Sequence, residues 1–427
     1  MKPDFPEKST ADYSPQKGYG VAAWALWAYF LISIGRLGEL IPGLSGLPLA
    51  KLAIGISLLA LLARRSKQPA INGTKTGIVG TAIALAVLAV MLIPISIAPG
   101  ASFKLITSVG LPLAVSFYIT TQVCSSWHHL RMTLLVLVVT ALILATTALT
   151  GSSGRVSAGD SYDSNDLAYV LVTCLPLALA FGYTSRGRNK LVFYGMAGLL
   201  LVATLLTQSR GGLLGLLGAI ILLVVHPFNG QRRSLFKVLI VSATLATLGV
   251  GAFSFLPADT QERFATLGDL KSDYNMDANN VTGRTSIWRR GIQAALDRPI
   301  GYGPATFQAV DLMTGGRYKT PHNSLLQVAV ELGLLGLALY IGAQVQAWLI
   351  FGTLTKIAGL KNPEQFAHTT ALRAALVANF IAAFFLSQAF SAMLWTILAL
   401  AYSMQKSIYS TPLKMKARSN GIHNRLA

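Results

Sequence analysis

Residues 131–150 read RMTLLVLVVTALILATTALT. A single arginine opens the stretch and no other charge follows. A helix crosses the bilayer hydrocarbon in about 20 residues, so this segment has the length and composition of a membrane span. Outward from it the same pattern recurs. Apolar stretches fall at 19–35, 46–63, 77–98, 101–121, 166–184, 191–207, 212–228, 236–256, 324–351, 371–388 and 390–406. The whole chain agrees: of 427 residues, 53% are hydrophobic and 12% charged, with a mean hydropathy of +0.56. A soluble domain carries about 25% charged residues; half that figure leaves too little polar surface to cover several soluble domains. The expected fold class is all-α, a polytopic transmembrane helical bundle of about 12 spans. A small helical extracytoplasmic loop domain is expected between spans 9 and 10. Collagen, coiled coil and disorder are excluded by the same composition.

A net charge of +19 would suggest nucleic acid in a soluble protein. Here the basic residues sit mostly in short loops between spans, where they orient the chain in the membrane instead. With the N-terminus in the cytoplasm, the inner segments hold 22 of the 35 Lys and Arg residues, among them Arg64, Arg131, Arg186 and Lys406. The short outer loops hold 4, namely Arg36, Lys104, Arg155 and Arg210, while Lys51 falls inside an expected span. The positive-inside rule counts short loops, so both termini are expected in the cytoplasm and the long loop outside. The expected organisation is a cytoplasmic tail at 1–18, nine spans within 19–256, an outer loop at 257–323, three spans within 324–406 and a basic cytoplasmic tail at 407–427. No basic segment directly precedes the first span and no A-x-A site follows it, so it reads as a retained anchor and not a cleaved signal. Cys124 and Cys174 fall at an inner loop and within a span, which excludes a disulfide scaffold and a Cys-based zinc site.

Within the long loop, residues 285–300 read TSIWRRGIQAALDRPI, an amphipathic helix. Ile287, Trp288, Ile292, Ala295 and Leu296 share a face at helical spacing. Thr282 or Thr285 can cap its start and Pro299 ends it. Gly301 and Gly303 then make a turn.

Chemistry is sought among polar residues that break the apolar pattern, because charge at membrane depth is costly without a partner or a wet cavity. Arg210, in TQSRGGLLG, sits at an outer span end against the positive-inside trend. Gly211 and Gly212 after it permit a tight turn that exposes backbone N–H groups to an anion, and the guanidinium offers a fork of donors suited to phosphate. Snorkelling to headgroups is the plainer reading. Arg284 opens the loop helix and shares a face with Trp288, Gly291 and Ala295, while Arg289 and Arg290 point elsewhere, to solvent or headgroups. His322, in KTPHNSLLQVAVELGLLG, stands where the loop re-enters the membrane. A helix start disfavours the imidazolium and keeps the ring neutral, able to accept a proton; alternatively His322 and Asn323 only cap the helix. Asn323, Gln327 and Glu331 form a polar stripe running into the membrane. Asp160, Asp163, Asn165 and Asp166 lie in a further outer loop. Their spacing does not fit an EF-hand, and Asp166 or Asn165 can cap the sixth span. No G-x-S-x-G, Walker A or H-E-x-x-H is present, so neither a hydrolase triad nor a zinc site is expected.

Three elements stand in order: an SRGG at a span end, GRTSIWRRGIQAALDRPIGYGPATF in the loop, and PHNSLLQVAVELGLLGL entering a span. This combination resembles the O-antigen ligase and polymerase superfamily of bacterial membrane glycosyltransferases. The resemblance rests on Arg210; on Gly283, Arg284 and Trp288; on Pro299, Gly301 and Gly303; on His322 and Asn323; on Glu331, Gly333 and Gly336; and on Asp163, Asn165 and Ala168. It implies that Arg210 and Arg284 hold the diphosphate of a polyprenyl-linked glycan and that His322 activates the acceptor hydroxyl. Asn323, Asn165 and Asp163 would join the arginines in substrate binding. No cofactor and no metal are implied. The expected function is that of an O-antigen ligase: inverting transfer of a polysaccharide from an undecaprenyl diphosphate carrier to a lipid A-core hydroxyl at the periplasmic face of the inner membrane. The alternative is a polymerase that joins lipid-linked repeats. Protein O-glycosylation comes third, because the extra loop or tail sequence usual there is missing. A non-enzymatic transporter comes last, since no internal repeat is visible and the odd polar residues gather at one face. Membrane lipids are expected partners and nucleic acid is not.

Overall fold

The computed structural model describes residues 20–41, 43–44, 46–63, 77–151, 156–158, 162–230, 280–358 and 362–409. Among these the regular elements are helical, apart from an isolated bridge between Ala158 and Tyr162. In chain order they are α1 (Gly20–Ser33), α2 (Leu37–Leu40), α3 (Leu49–Leu62), α4 (Gly77–Met91) and α5 (Pro99–Leu105). A π-helical turn over Ile106–Gly110 leads into α6 (Leu111–Val123). Then come α7 (Trp127–Gly151), α8 (Ser164–Thr184), α9 (Gly187–Leu206) and α10 (Arg210–Val225). The described part of the long loop holds α11 (Arg284–Asp297) and α12 (Phe307–Met313), and α13 (Ser324–Ala358), α14 (Pro363–Ala383) and α15 (Ala392–Tyr409) follow.

Among the described residues, six helical runs are long and apolar enough to cross a membrane: Pro99–Val123, Trp127–Gly151, Ser164–Thr184, Gly187–Leu206, Ser324–Ile357 and Pro363–Ala383. Shorter apolar helices lie at Gly20–Ser33, Leu49–Leu62, Gly77–Met91 and Arg210–Val225. The ninth expected span, 236–256, lies outside the described residues, as do the expected tail at 1–18, residues 410–427 of the other tail and the loop residues before 280. Burial separates centre from rim. The most apolar stretch of α8 is 83% buried and that of α14 is 72%, against 22% for α9 and 28% for Pro99–Val123. The bundle is thus built around α8 and α14, with α7, α9 and α10 packed against α8. Their contact surfaces carry small residues such as Ala168, Ala178, Ala375 and Ala378, all buried, which lets backbones approach where lipid is as apolar as the side chains.

Three expected spans are corrected. Helix α4 stops at Met91 and not at 98, since Pro94 lacks the amide that would continue it. Helix α14 begins at Pro363, eight residues before 371; Asn362 caps it by accepting from Glu364 N at 3.1 Å and Gln365 N at 3.2 Å. Lys51, expected inside a span, lies in the first turn of α3. The tenth span is not one helix, because α13 is interrupted at Gly333, with φ 73° and ψ −177°. That region of backbone space belongs almost only to glycine.

The break at Gly333 joins the loop to the bundle. It frees backbone groups that the turn after α11 takes up. Tyr302 N donates to Val330 O at 2.9 Å, Gly303 N to Glu331 O at 2.9 Å, and Leu334 N to Pro299 O at 2.8 Å. Gly301 lies against the same point, where a Cβ would come within 2.6 Å of Gly333 N. On its other side this turn meets the α4–α5 connection: Ile97 N donates to Tyr302 O at 3.1 Å, and Ser102 Oγ to Pro304 O at 2.6 Å. Irregular backbone near a membrane is tolerated where protein satisfies it. Above the break, Ile287, Ala294, Ala295, Phe307, Val310, Leu326 and Val330 form a small separate core from α11, α12 and the first part of α13.

Candidate functional site

One five-residue turn, Phe384–Gln388, lies between α14 and α15 and touches every element that carries an expected site residue. The Phe384 ring meets Trp288 of α11 edge-on at 5.7 Å. Phe385 packs against Gly211, where an added Cβ would approach its Cβ to 2.9 Å, next to Arg210. Ser387 Oγ accepts from His322 N at 3.1 Å. Gln388 Nε2 donates to Asp166 Oδ1 of α8 at 2.7 Å. The sequence reading missed this turn by assigning 371–388 to a span. Its signal was the near absence of a loop between that stretch and 390–406, with Ser387 and Gln388 as the polar interruption.

His322 is not in the first turn of α13, nor is it the cap. Asn323 caps the helix, with Oδ1 accepting from Leu326 N at 3.0 Å, and is buried. His322 precedes it in a left-handed conformation, φ 45°, uncommon outside glycine although histidine adopts it more readily than most residues. Its Nε2 lies 3.1 Å from Thr320 Oγ1, and Trp288 Nε1 donates to the carbonyl of the preceding Pro321 at 2.8 Å. Burial pushes the imidazole below its ordinary pKa. The Arg284 charge acts the same way, Asp163 pulls it back, and Lys319 lowers it again. The ring is therefore neutral at pH 7, the form that accepts a proton, and Arg284 and Asp163 both act on it.

Arg284 is the first residue of α11, half-buried, and shares a face with Trp288, buried Gly291 and buried Ala295. That face does pack on α13: a Cβ at Gly291 would meet Leu326 at 2.9 Å. The rest of the expected face is corrected, since Ile292 is 55% exposed and Leu296 61% exposed. The cap is corrected too. Gly283 precedes α11 without a side-chain cap, while Thr282 bonds Asn280. Arg210 opens α10, whose cap Ser209 accepts from Gly212 N at 3.2 Å. Gly211 and Gly212 are not a turn but buried helix, and a side chain at Gly212 would collide with Ala168 of α8. They allow close packing and do not form an anion nest.

Asp163, not Asp166 or Asn165, caps α8: its Oδ1 accepts from Asn165 N at 2.7 Å and Asp166 N at 2.9 Å. Asp163 is exposed all the same. The stripe of Asn323, Gln327 and Glu331 also changes meaning. Glu331, buried, accepts from Phe307 N at 3.4 Å at the start of α12, so it supports the outer helices and does not lead into lipid.

A second missed feature is an ion pair. Arg290, expected in solvent or at headgroups, donates through Nε to Asp311 Oδ1 at 2.9 Å, and Asp311 is buried. Asp311 Oδ2 accepts from Arg317 N at 3.1 Å and Lys319 N at 3.0 Å. This one carboxylate thus ties α11 to the strap that leads to Thr320 and His322. Among the described residues, no three His, Cys, Asp or Glu side chains gather into a metal-sized group.

Residues 195–341 match the family model described as O-antigen ligase. No curated protein matches the chain. The matched range contains Arg210, Arg284, Trp288, His322 and the Gly333 break. This match supports the O-antigen ligase and polymerase superfamily over residues 195–341, and the apolar helices point to a multi-pass membrane protein of glycosyltransferase type.

Proposed function

We propose that the chain is an O-antigen ligase, an inverting glycosyltransferase at the periplasmic face of the inner membrane. It moves a polysaccharide from undecaprenyl diphosphate to a hydroxyl of a lipid A-core acceptor. The observation that carries this reading is the turn Phe384–Gln388, which contacts His322 directly and packs against the elements bearing Arg210 and Arg284. Two arginines and a neutral histidine at one end of a bundle suit a particular bond exchange. The acceptor oxygen attacks the anomeric carbon from the face opposite the carrier. The glycosidic C–O bond breaks and its electron pair leaves with the diphosphate. Arg210 and Arg284 stabilise the charge that grows there. The proton of the acceptor hydroxyl passes to His322. Asp163 and Asn165, at the start of α8, contact the sugar, and Asn323 holds His322 in place as the helix cap.

The test is incubation of the purified protein with a defined lipid-diphosphate glycan and lipid A core. Glycan transfer to the core is the expected result. Longer lipid-linked glycan without core modification would make the protein a polymerase, and no transfer to either acceptor would overturn the glycosyltransferase reading.

A further inference from the structure

Beside the His322 site lies a second cavity of about 340 Å3, between the end of α1, the start of α3, the π-helical turn and the start of α8. Its polar lining includes Arg36, Lys51, Ser108, Tyr162, Asp166 and Gln388. Arg36 donates to Glu39 at 3.2 Å and lies over the Tyr162 ring at 5.0 Å, which fixes the guanidinium at the wall. A guanidinium has five N–H donors, so the Glu39 contact leaves others for a ligand. The Asp166–Gln388 hydrogen bond forms part of the floor. Gln388 adjoins Ser387, which accepts from His322 N. The cavity thus reaches the turn that holds the histidine from the Asp166 end of α8.

The polar cavity does not end in protein. Leu113 and Phe390 line it and also line an apolar groove of about 350 Å3 between α4 and α6. That groove runs from Val90 and Leu105 at one end to Val79 and Thr121 at the other, a distance of several helical turns. The π-helical turn divides the two spaces: Ser108 and Val109 face the polar cavity, Ile106 and Gly110 the groove. Extra-wide turns of this kind are frequent at functional sites. The pair of spaces has the form of an amphiphile. Cations suit phosphate, a carboxylate with an amide and a tyrosine suits sugar hydroxyls, and the groove suits a hydrocarbon chain.

We propose that this cavity and groove bind the acceptor as a phosphorylated glycolipid, with phosphate on Arg36 and Lys51, sugar on Asp166 and Gln388, and chain between α4 and α6. The proposal rests on the glycosyltransferase reading above and adds where the acceptor enters: past Asp166 and Gln388, next to the turn that contacts His322.

The experiment uses the full chain in nanodiscs of zwitterionic phosphatidylcholine, with a lipid-diphosphate glycan as donor probe and lipid A core as acceptor probe. The Arg36→Gln, Lys51→Gln double variant should raise the acceptor KM about tenfold or more, as expected for lost charge-assisted hydrogen bonds. Donor KM and maximal rate should stay at the parental values. A rise in donor KM alone would show that the donor occupies the cavity and overturn the proposal, as would unchanged constants. Adding phosphatidylglycerol to the parent should leave the acceptor KM unchanged; competition by it would assign the cavity to bulk anionic phospholipid. A second readout needs no turnover. With a photo-crosslinking benzoylphenylalanine in place of Val109, labelled lipid A core should be captured, and unlabelled lipid A core but not the donor should displace it. Capture without any transfer would leave the lipid site standing while the catalytic reading fails. A folded protein that captures nothing would remove the site.

Discussion

Asp311 makes no contact with any reacting group in the proposed chemistry, yet its loss should be among the most damaging changes near the site. It is buried, and its partner Arg290 has a side chain only 15% exposed. Removing one partner of a buried ion pair costs about 3–5 kcal/mol, because the other charge is left uncompensated. Asp311→Ala also orphans the amides of Arg317 and Lys319, which now donate to Oδ2 at 3.1 and 3.0 Å. A local loss of about 3 kcal/mol lowers the ratio of ordered to displaced strap roughly a hundredfold. The strap leads within two residues of Thr320, whose hydroxyl lies 3.1 Å from His322 Nε2. Asp311→Ala should therefore cut transfer by one to two orders of magnitude, about as the strap ratio falls. The bundle should still insert, and limited proteolysis should cut first between 314 and 321. The decisive comparison is Arg290→Met with Asp311→Leu. Replacing a buried pair by apolar groups often restores or raises stability, so thermal unfolding should recover. Activity should not, because leucine cannot accept from Arg317 N and Lys319 N. A double variant with parental turnover would refute the argument that Asp311 positions the strap.

Further outcomes follow from the same geometry. Arg210→Ala and Arg284→Ala should each lower kcat/KM by about 2–4 kcal/mol of transition-state stabilisation, and lysine should rescue poorly for want of a bidentate fork; normal turnover in folded alanine variants would return both to headgroup anchoring. Activity should survive EDTA, and loss restored by magnesium or manganese would mean that a metal shares the diphosphate charge. His322→Asn should fold, since Asn323 is the cap, and still bind donor, but lose about 10²–10⁴-fold in rate. The parental rate should fall in acid with a midpoint below the ordinary value of about 6.5, because burial and Arg284 depress the imidazole pKa; Arg284→Gln removes one depressing charge, so the midpoint of its residual rate should move up, and a downward move would contradict the assignment. Gly333→Ala should lose about 1–3 kcal/mol of stability from its backbone conformation alone, whereas Gly55→Ala, with nothing within 4 Å of the added carbon, should be near neutral or stabilising.

The spans were legible because their signal is local and repeated. A run such as 131–150 has one way to satisfy its backbone in lipid, the helix, and α7 covers it. Errors arose wherever a polar or proline residue sat beside apolar neighbours that masked it. Pro94 stops α4 inside an apolar run, and the polar first turn of α14 looked like loop although Asn362 caps it. Gly333 is the deeper case. A glycine in VAVELGLLGL is ordinary as composition, and only the turn around Gly301, 32 residues earlier in the chain, makes its positive φ necessary. Pairing of that kind is non-local and leaves no periodic trace.

The site divides along the same line. Arg210, Arg284 and His322 stood out because each violated the apolar pattern, and the electrostatic effect of Arg284 on His322 depends on nearness that sequence order did not give. The residues that hold them stayed hidden because each reads as ordinary by itself. Phe384 and Phe385 look like lipid-facing aromatics, and Arg290 looks like one more basic residue on a loop helix. Their roles come from partners far away in the chain: Trp288 for Phe384, Gly211 for Phe385, and Asp311 for Arg290. Even the glycines after Arg210, which suggested an anion nest, are explained by Ala168 and Phe385. In a membrane protein the costly charges are marked in the sequence by their scarcity. The apolar and paired residues that aim them are not, because their chemistry matches the surroundings and only contact distinguishes them.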